Sequence, residues 1–142
     1  MDRIRISNGE KRIEVNDQGE YITLNFNDQS LLPRFFHLKE NFEALSTRAE
    51  TEIQRIAGEY PDGGDARMKA EVEYNEKIHS EIMSEVNSVL GKDACRKIFG
   101  DILPSVEMYG ELFEQLMPYF QKYAQERAEK MQKYSAARMG NV

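Results

Sequence analysis

The sequence predicts an α+β fold, mostly α: an N-terminal three-stranded antiparallel meander packed on a bundle of three long helices plus one short helix. The first 28 residues follow a two-residue hydrophobic period, and from Ser30 onward the period changes to about 3.6. Clusters of Gly, Pro and Asp then divide the second part into separate helical runs. At 142 residues and 16.5 kDa the chain suits a single α+β domain over residues 1–120, with residues 121–142 as a protruding basic helical tail.

In the strand region Ile4 and Ile6 alternate with Arg3 and Arg5, and Ile13 and Val15 with Arg12 and Glu14. Ile22, Leu24 and Phe26 alternate in the same way with Tyr21, Thr23 and Asn25. Such alternation gives a pleated ribbon one apolar face and predicts strands at about 2–7, 10–16 and 20–26. Ser7-Asn8-Gly9-Glu10 and Asn16-Asp17-Gln18-Gly19 separate the runs, and Asn and Gly reach positive φ at low cost, so both read as hairpin turns. A small open meander has no stability of its own, and its apolar face requires a helical cover.

Helices are expected at about 31–58, 65–90, 93–99 and 105–120. In the first, Phe35, Leu38, Phe42, Leu45, Ala49, Ile53 and Ile56 recur three or four apart, with Ser30 as N-cap and Pro33 in the first turn, where its missing N–H costs nothing. Glu59-Tyr60-Pro61-Asp62-Gly63-Gly64-Asp65 breaks the chain, and Asp65 is placed to cap the second helix. That helix carries Met68, Val72, Asn75, His79, Ile82, Val86 and Val89 on one face and stops at Gly91. Asp93 and Gly100 bracket a short third helix. The last helix begins near Ser105 and presents Val106, Tyr109, Phe113, Leu116, Phe120 and Tyr123. Pro118 lies inside it and removes a backbone hydrogen bond, which predicts a kink that aims the following segment away from the core.

Beyond Gln121 the composition shifts. Lys122, Arg127, Lys130, Lys133 and Arg138 stand against Glu126 and Glu129, so the tail is +3 while residues 1–120 carry −9 of a net −6. Its apolar residues, Tyr123, Ala124, Ala128, Met131 and Tyr134, are too few to hold a helix on a core and enough to dock it on another molecule. Tyr123, Arg127, Met131 and Tyr134 are therefore the candidate partner-binding residues. The surplus of Tyr, Phe and Met in the helices also points to a homo-oligomer interface.

Signals for chemistry are weak. The two histidines, His37 and His79, lie 42 residues apart on different expected helices, and His79 reads as a partly buried, hydrogen-bonded residue in an apolar stripe. Cys95 is the single cysteine, which excludes an internal disulfide framework, suits a reducing compartment and reads as a small half-buried hydrophobe. Asp62, Asp65, Glu50, Glu52, Glu71 and Glu73 do not follow the every-second-residue spacing of a calcium loop. With no P-loop or dinucleotide fingerprint, the expectation is a protein that is not an enzyme and takes no catalytic metal or cofactor. The acidic balance disfavours nucleic acid as a partner. No run of about 18 apolar residues occurs and the N-terminus has no apolar stretch, so neither a membrane span nor export is expected, and the cytoplasm is the expected compartment.

Three stretches carry a family resemblance: Tyr21-Ile22-Thr23-Leu24-Asn25-Phe26-Asn27-Asp28, Leu32-Pro33-Arg34-Phe35, and residues 87–101, which end in Lys97-Ile98-Phe99-Gly100-Asp101. Followed by the Glu- and Phe-bearing run Val106-Glu107-Met108-Tyr109-Gly110-Glu111-Leu112-Phe113-Glu114 and a charged C-terminal segment, this order resembles the small tail assembly chaperones of long-tailed phages and Gram-positive prophages. The resemblance spans residues 20–138. It implies a non-enzymatic protein of the host cytoplasm that coats the tape measure protein during tail morphogenesis, helps recruit subunits of the major tail-tube protein and is absent from the mature virion. Chaperones of this family are often made in two lengths by ribosomal frameshifting. A tape measure is a long, partly apolar helix that a multivalent helical protein can shield. The alternative, from a different class, is a small phage or host regulatory protein that inhibits a protein target or binds nucleic acid through its basic C-terminal helix.

Overall fold

A computed structural model describes residues 1–140 in the order β1 (Glu10–Glu14), β2 (Tyr21–Asn25), α1 (Leu31–Glu59), α2 (Asp65–Leu90), α3 (Ala94–Phe99) and α4 (Val106–Gly140). The chain is mostly helical, with four helices and one two-stranded antiparallel sheet among the described residues. It divides into two units, the first running from Met1 to Ser105 and the second beginning at Val106.

The expected three-stranded meander is a two-stranded ribbon, because residues 2–7 form no strand. β1 and β2 pair in the register Glu10↔Asn25, Ile13↔Ile22 and Glu14↔Tyr21, and both are shorter than the 10–16 and 20–26 read from the alternation. The missing strand follows from Gly9. A hairpin there needs positive φ, yet among the glycines with positive φ Gly9 is absent, and its carbonyl accepts a 3.0 Å hydrogen bond from Phe26 N. Ser7 and Gly9 instead run on opposite the end of β2, and the Asn27 side-chain amide donates to the Ser7 carbonyl at 3.0 Å. A hairpin would have laid Ile4 and Ile6 back beside β1; without one they are 90% and 87% exposed. Glycine is required at position 9 for a close approach rather than for a turn: an added Cβ would stand 2.7 Å from Asn27 N and 2.5 Å from its side-chain carbon. Gly9→Ala is expected to cost about 1–3 kcal/mol, read as a lower urea midpoint at unchanged m-value.

The second turn forms as expected. Gly19 takes φ 78°, and Asn16 is its hub. Asn16 Oδ1 accepts from Gln18 N at 3.0 Å and Glu20 N at 3.1 Å, while its amide donates to Glu20 Oε1 and, across 81 residues of sequence, to the Lys97 carbonyl at 3.0 Å. One side chain thus closes the hairpin and ties it to α3. Arg96 bridges to Glu20 at 3.0 Å, Lys97 Nζ donates to the Tyr21 carbonyl at 3.2 Å, and the Arg12 guanidinium lies 4.8 Å from the centre of the Tyr21 ring. Hydrogen bonding from Arg96, then from Asn16, holds the Glu20 carboxyl below the usual glutamate range. A lowered folded-state value means the Glu20 contribution is fully present above about pH 4.5 and lost as pH falls through the folded value. Glu20→Gln is therefore expected to show a smaller fall in urea midpoint than the parent between about pH 7 and about pH 3.

The inner face of β2, with Ile22, Leu24 and Phe26 buried, is covered by helices as its alternation requires, with α2 and α3 both against the strand. α1 and α2 fold back on each other, and Arg34 to Ser88 (3.3 Å) and Arg48 to Glu81 (3.3 Å) fix their antiparallel register. On α1, Phe35, Leu38, Leu45 and Ile56 of the expected stripe are buried, together with Leu31, while Ile53 is exposed. Capping differs from expectation at each N-terminus. The Ser30 hydroxyl donates to Asp28 Oδ1 (2.7 Å) rather than capping α1, Gly64 at φ 86° precedes α2 with Asp65 inside its first turn, and Asp93 makes no side-chain cap on α3. At α3 the partner comes from the preceding helix, as Asn87 Oδ1 accepts from Cys95 N at 2.9 Å. Side-chain caps are interchangeable among nearby polar residues, so the residue adjacent in sequence need not supply them. The C-terminal stops at Gly91 (φ 127°) and Gly100 (φ 84°) are as expected.

Two helical expectations are corrected further. On α2 the buried row is Ile78, Ile82, Val86 and Leu90, whereas Met68, Val72 and Asn75 are exposed and His79 and Val89 half-buried. The last helix does not stop at 120. α4 runs unbroken through Pro118 to Gly140, since one lost backbone bond is a small part of a 35-residue ladder. The expected tail is therefore the distal half of α4, and its residues 141–142 lie outside the described residues.

Candidate functional site

The distal half of α4 is helical for local reasons. Residues 122–133 are almost all Ala, Gln, Glu, Lys, Arg and Met, the strong helix formers, and Glu126/Lys130 and Glu129/Lys133 repeat the favourable Glu-before-Lys spacing. Helical geometry then places Tyr123, Arg127, Met131 and Tyr134, at steps of four, four and three, along one side.

This side continues a stripe already present in the first turns of the same helix. Tyr109, Leu112, Phe113, Leu116 and Phe120 are buried, and Tyr123, Arg127, Met131, Tyr134 and Arg138 follow in phase. Burial changes where composition changes. From residue 121 to residue 140 every side chain is exposed except Tyr123, which is half-buried. Met131 and Tyr134 are 54% and 66% exposed. The Arg138 guanidinium lies 6.0 Å from the Tyr134 ring centre, a cation–π contact worth about 0.5 kcal/mol at such an exposed site. Arg138 and the neighbouring Met139, which is also exposed, were not among the expected contact residues; extending the same three- and four-residue spacing by one turn finds Arg138. The arm thus offers a thin stripe in which Arg127 and Arg138 are interleaved with Tyr123, Met131 and Tyr134, with Lys122 and Lys133 to one side of it beside Glu126 and Glu129.

The other sequence candidates are not drawn together into a site. Cys95 is buried, with its thiol 3.8 Å from the Met83 carbonyl, and His79 Nδ1 lies 2.9 Å from the Asn75 carbonyl. His37 borders a shallow groove of about 260 Å³ between α1 and α2 with Arg34, Asn41 and Glu85. A larger groove of about 460 Å³ along the same helix pair is lined by Thr47, Arg48, Glu52, Tyr74, Lys77 and Glu81, with Arg48 and Glu81 paired at 3.3 Å. Among the described residues no group of three or more His, Cys, Asp or Glu is placed to hold a metal ion, and no helix is long and apolar enough to cross a membrane. Comparison with known proteins returned no matching family model, no similar curated protein and no similar solved structure.

Proposed function

We propose that this chain is a phage or prophage tail assembly chaperone that binds the tape measure protein and subunits of the major tail-tube protein through the distal half of α4. The observation that carries the reading is the α4 stripe, which is buried as far as Phe120 and then continues through the half-buried Tyr123 to exposed Arg127, Met131 and Tyr134. A scaffold with its own buried residues and a separate sticky helix is what an assembly factor needs: the body stays folded while the arm engages and releases a growing structure. Tyr123, Arg127, Met131 and Tyr134 are the contact residues, with no catalytic group, cofactor or metal involved. The protein works in the host cytoplasm and leaves before the virion matures. It acts as a homo-oligomer, because several arms on one particle shield a long helix far better than one.

Co-purification with the tape measure and tail-tube proteins of the same genome, with the complex sized by light scattering, tests the reading. A stoichiometric complex supports it. Binding to neither, or binding to nucleic acid that falls steeply with salt, transfers the arm to the regulatory alternative.

A further inference from the structure

Two helices carry an apolar stripe that is covered over only part of its length. On α2, Met68, Val72, Val86 and Leu90 share one side at 3.6 residues per turn; Val86 and Leu90 are buried, whereas Met68 and Val72 are 65% and 59% exposed. On α4 the covered part is the proximal half and the uncovered part holds Met131 and Tyr134. The two uncovered parts sit in opposite fields. Residues 62–76 hold five carboxylates, Asp62, Asp65, Glu71, Glu73 and Glu76, against Arg67 and Lys69, which pair with Glu71 at 3.0 Å and Glu73 at 3.9 Å. Residues 121–138 reverse the count, with five cations against Glu126 and Glu129. The match extends to position. Asp65 and Glu76 stand within about one turn of Met68 and Val72, as Lys130 and Arg138 stand within about one turn of Met131 and Tyr134.

We propose that the α4 arm of one copy docks on the N-terminal half of α2 of a second copy. Met131 and Tyr134 cover Met68 and Val72, and the arm's cations meet the nearby carboxylates. Apolar burial at the centre with opposite charge at the rim is the composition of a moderate, reversible protein interface. The contact joins two different surfaces, so each pairing leaves one free surface of each kind and association propagates instead of ending at a symmetric dimer. The contact uses the arm assigned above to tail proteins, so a tail protein would compete with the second copy for it.

The test uses the purified full chain without any tail protein, so it can fail independently of the co-purification. At about 100 µM, light scattering is expected to give a mass above the monomer that grows with concentration, and raising salt to about 0.5 M is expected to weaken association by about tenfold. Val72→Asp and Met131→Asp change exposed side chains on opposite sides of the contact, and each alone is expected to leave a folded monomer. Mixed in equal amounts they are expected to form a dimer, because the arm of the first and the α2 surface of the second are both intact. A monomeric parent, a single variant that associates like the parent, or a mixture that stays monomeric each overturns the proposal; association of Val72→Asp alone would point to arm-on-arm pairing.

Discussion

Phe35→Ala is expected to lower stability by about 3–5 kcal/mol, the usual cost of removing a fully buried phenylalanine and leaving a cavity. Phe35 has no exposed surface, lies on the α1 row that includes Leu31 and Leu38, and has its ring 6.1 Å from Phe36 in an edge-to-face arrangement. Domains of this size are stable by only about 5–15 kcal/mol, so the variant loses a large share of the total. Urea unfolding followed by far-UV circular dichroism measures the change. Phe36→Ala, next door and half exposed, is the control, expected to cost far less.

Cutting the chain after Gln121 is expected to leave the urea midpoint nearly unchanged and to weaken binding of tail proteins by about a hundredfold or more. The first half of this expectation rests on burial: from 121 to 140 only Tyr123 is even half-buried, so almost no folded-state contact is lost. The second half rests on the loss of the whole exposed stripe. A large fall in midpoint would make the arm a structural part of the fold. An unchanged affinity would place partner binding elsewhere, and the first surface to try would then be Met68 and Val72.

The helical architecture was legible because its signals are local. Period, caps and breakers lie within a few residues of each other, and the α1 and α2 ranges, the Gly91 and Gly100 stops and the Gly19 turn all follow from them. The errors share one origin. Ser7-Asn8-Gly9 has the composition of a hairpin turn, yet its glycine serves a close approach to Asn27, 18 positions away. Met68 and Val72 have the spacing of a buried face, yet burial depends on whether another element reaches that end of α2. Residues beyond 120 were set apart as a tail by their composition, yet α4 runs continuously through Pro118 into them. Tyr123, Arg127, Met131 and Tyr134 share one side of α4 because their spacing requires it, and the structure leaves all but the half-buried Tyr123 exposed.

By itself, then, the sequence determined the class of the fold, the four helical runs, the acidic body with its basic end, and the phase of each apolar stripe. These follow from periodicity, propensity and charge, which act over one or two turns. The tertiary structure decided how far each stripe is covered, which polar side chain satisfies which helix end, and that the N-terminal isoleucines face solvent. Those outcomes depend on long-range contacts such as Asn16 to Lys97, Asn87 to Cys95 and Gly9 against Asn27, whose free energies belong to pairs of residues and are not written at either position alone.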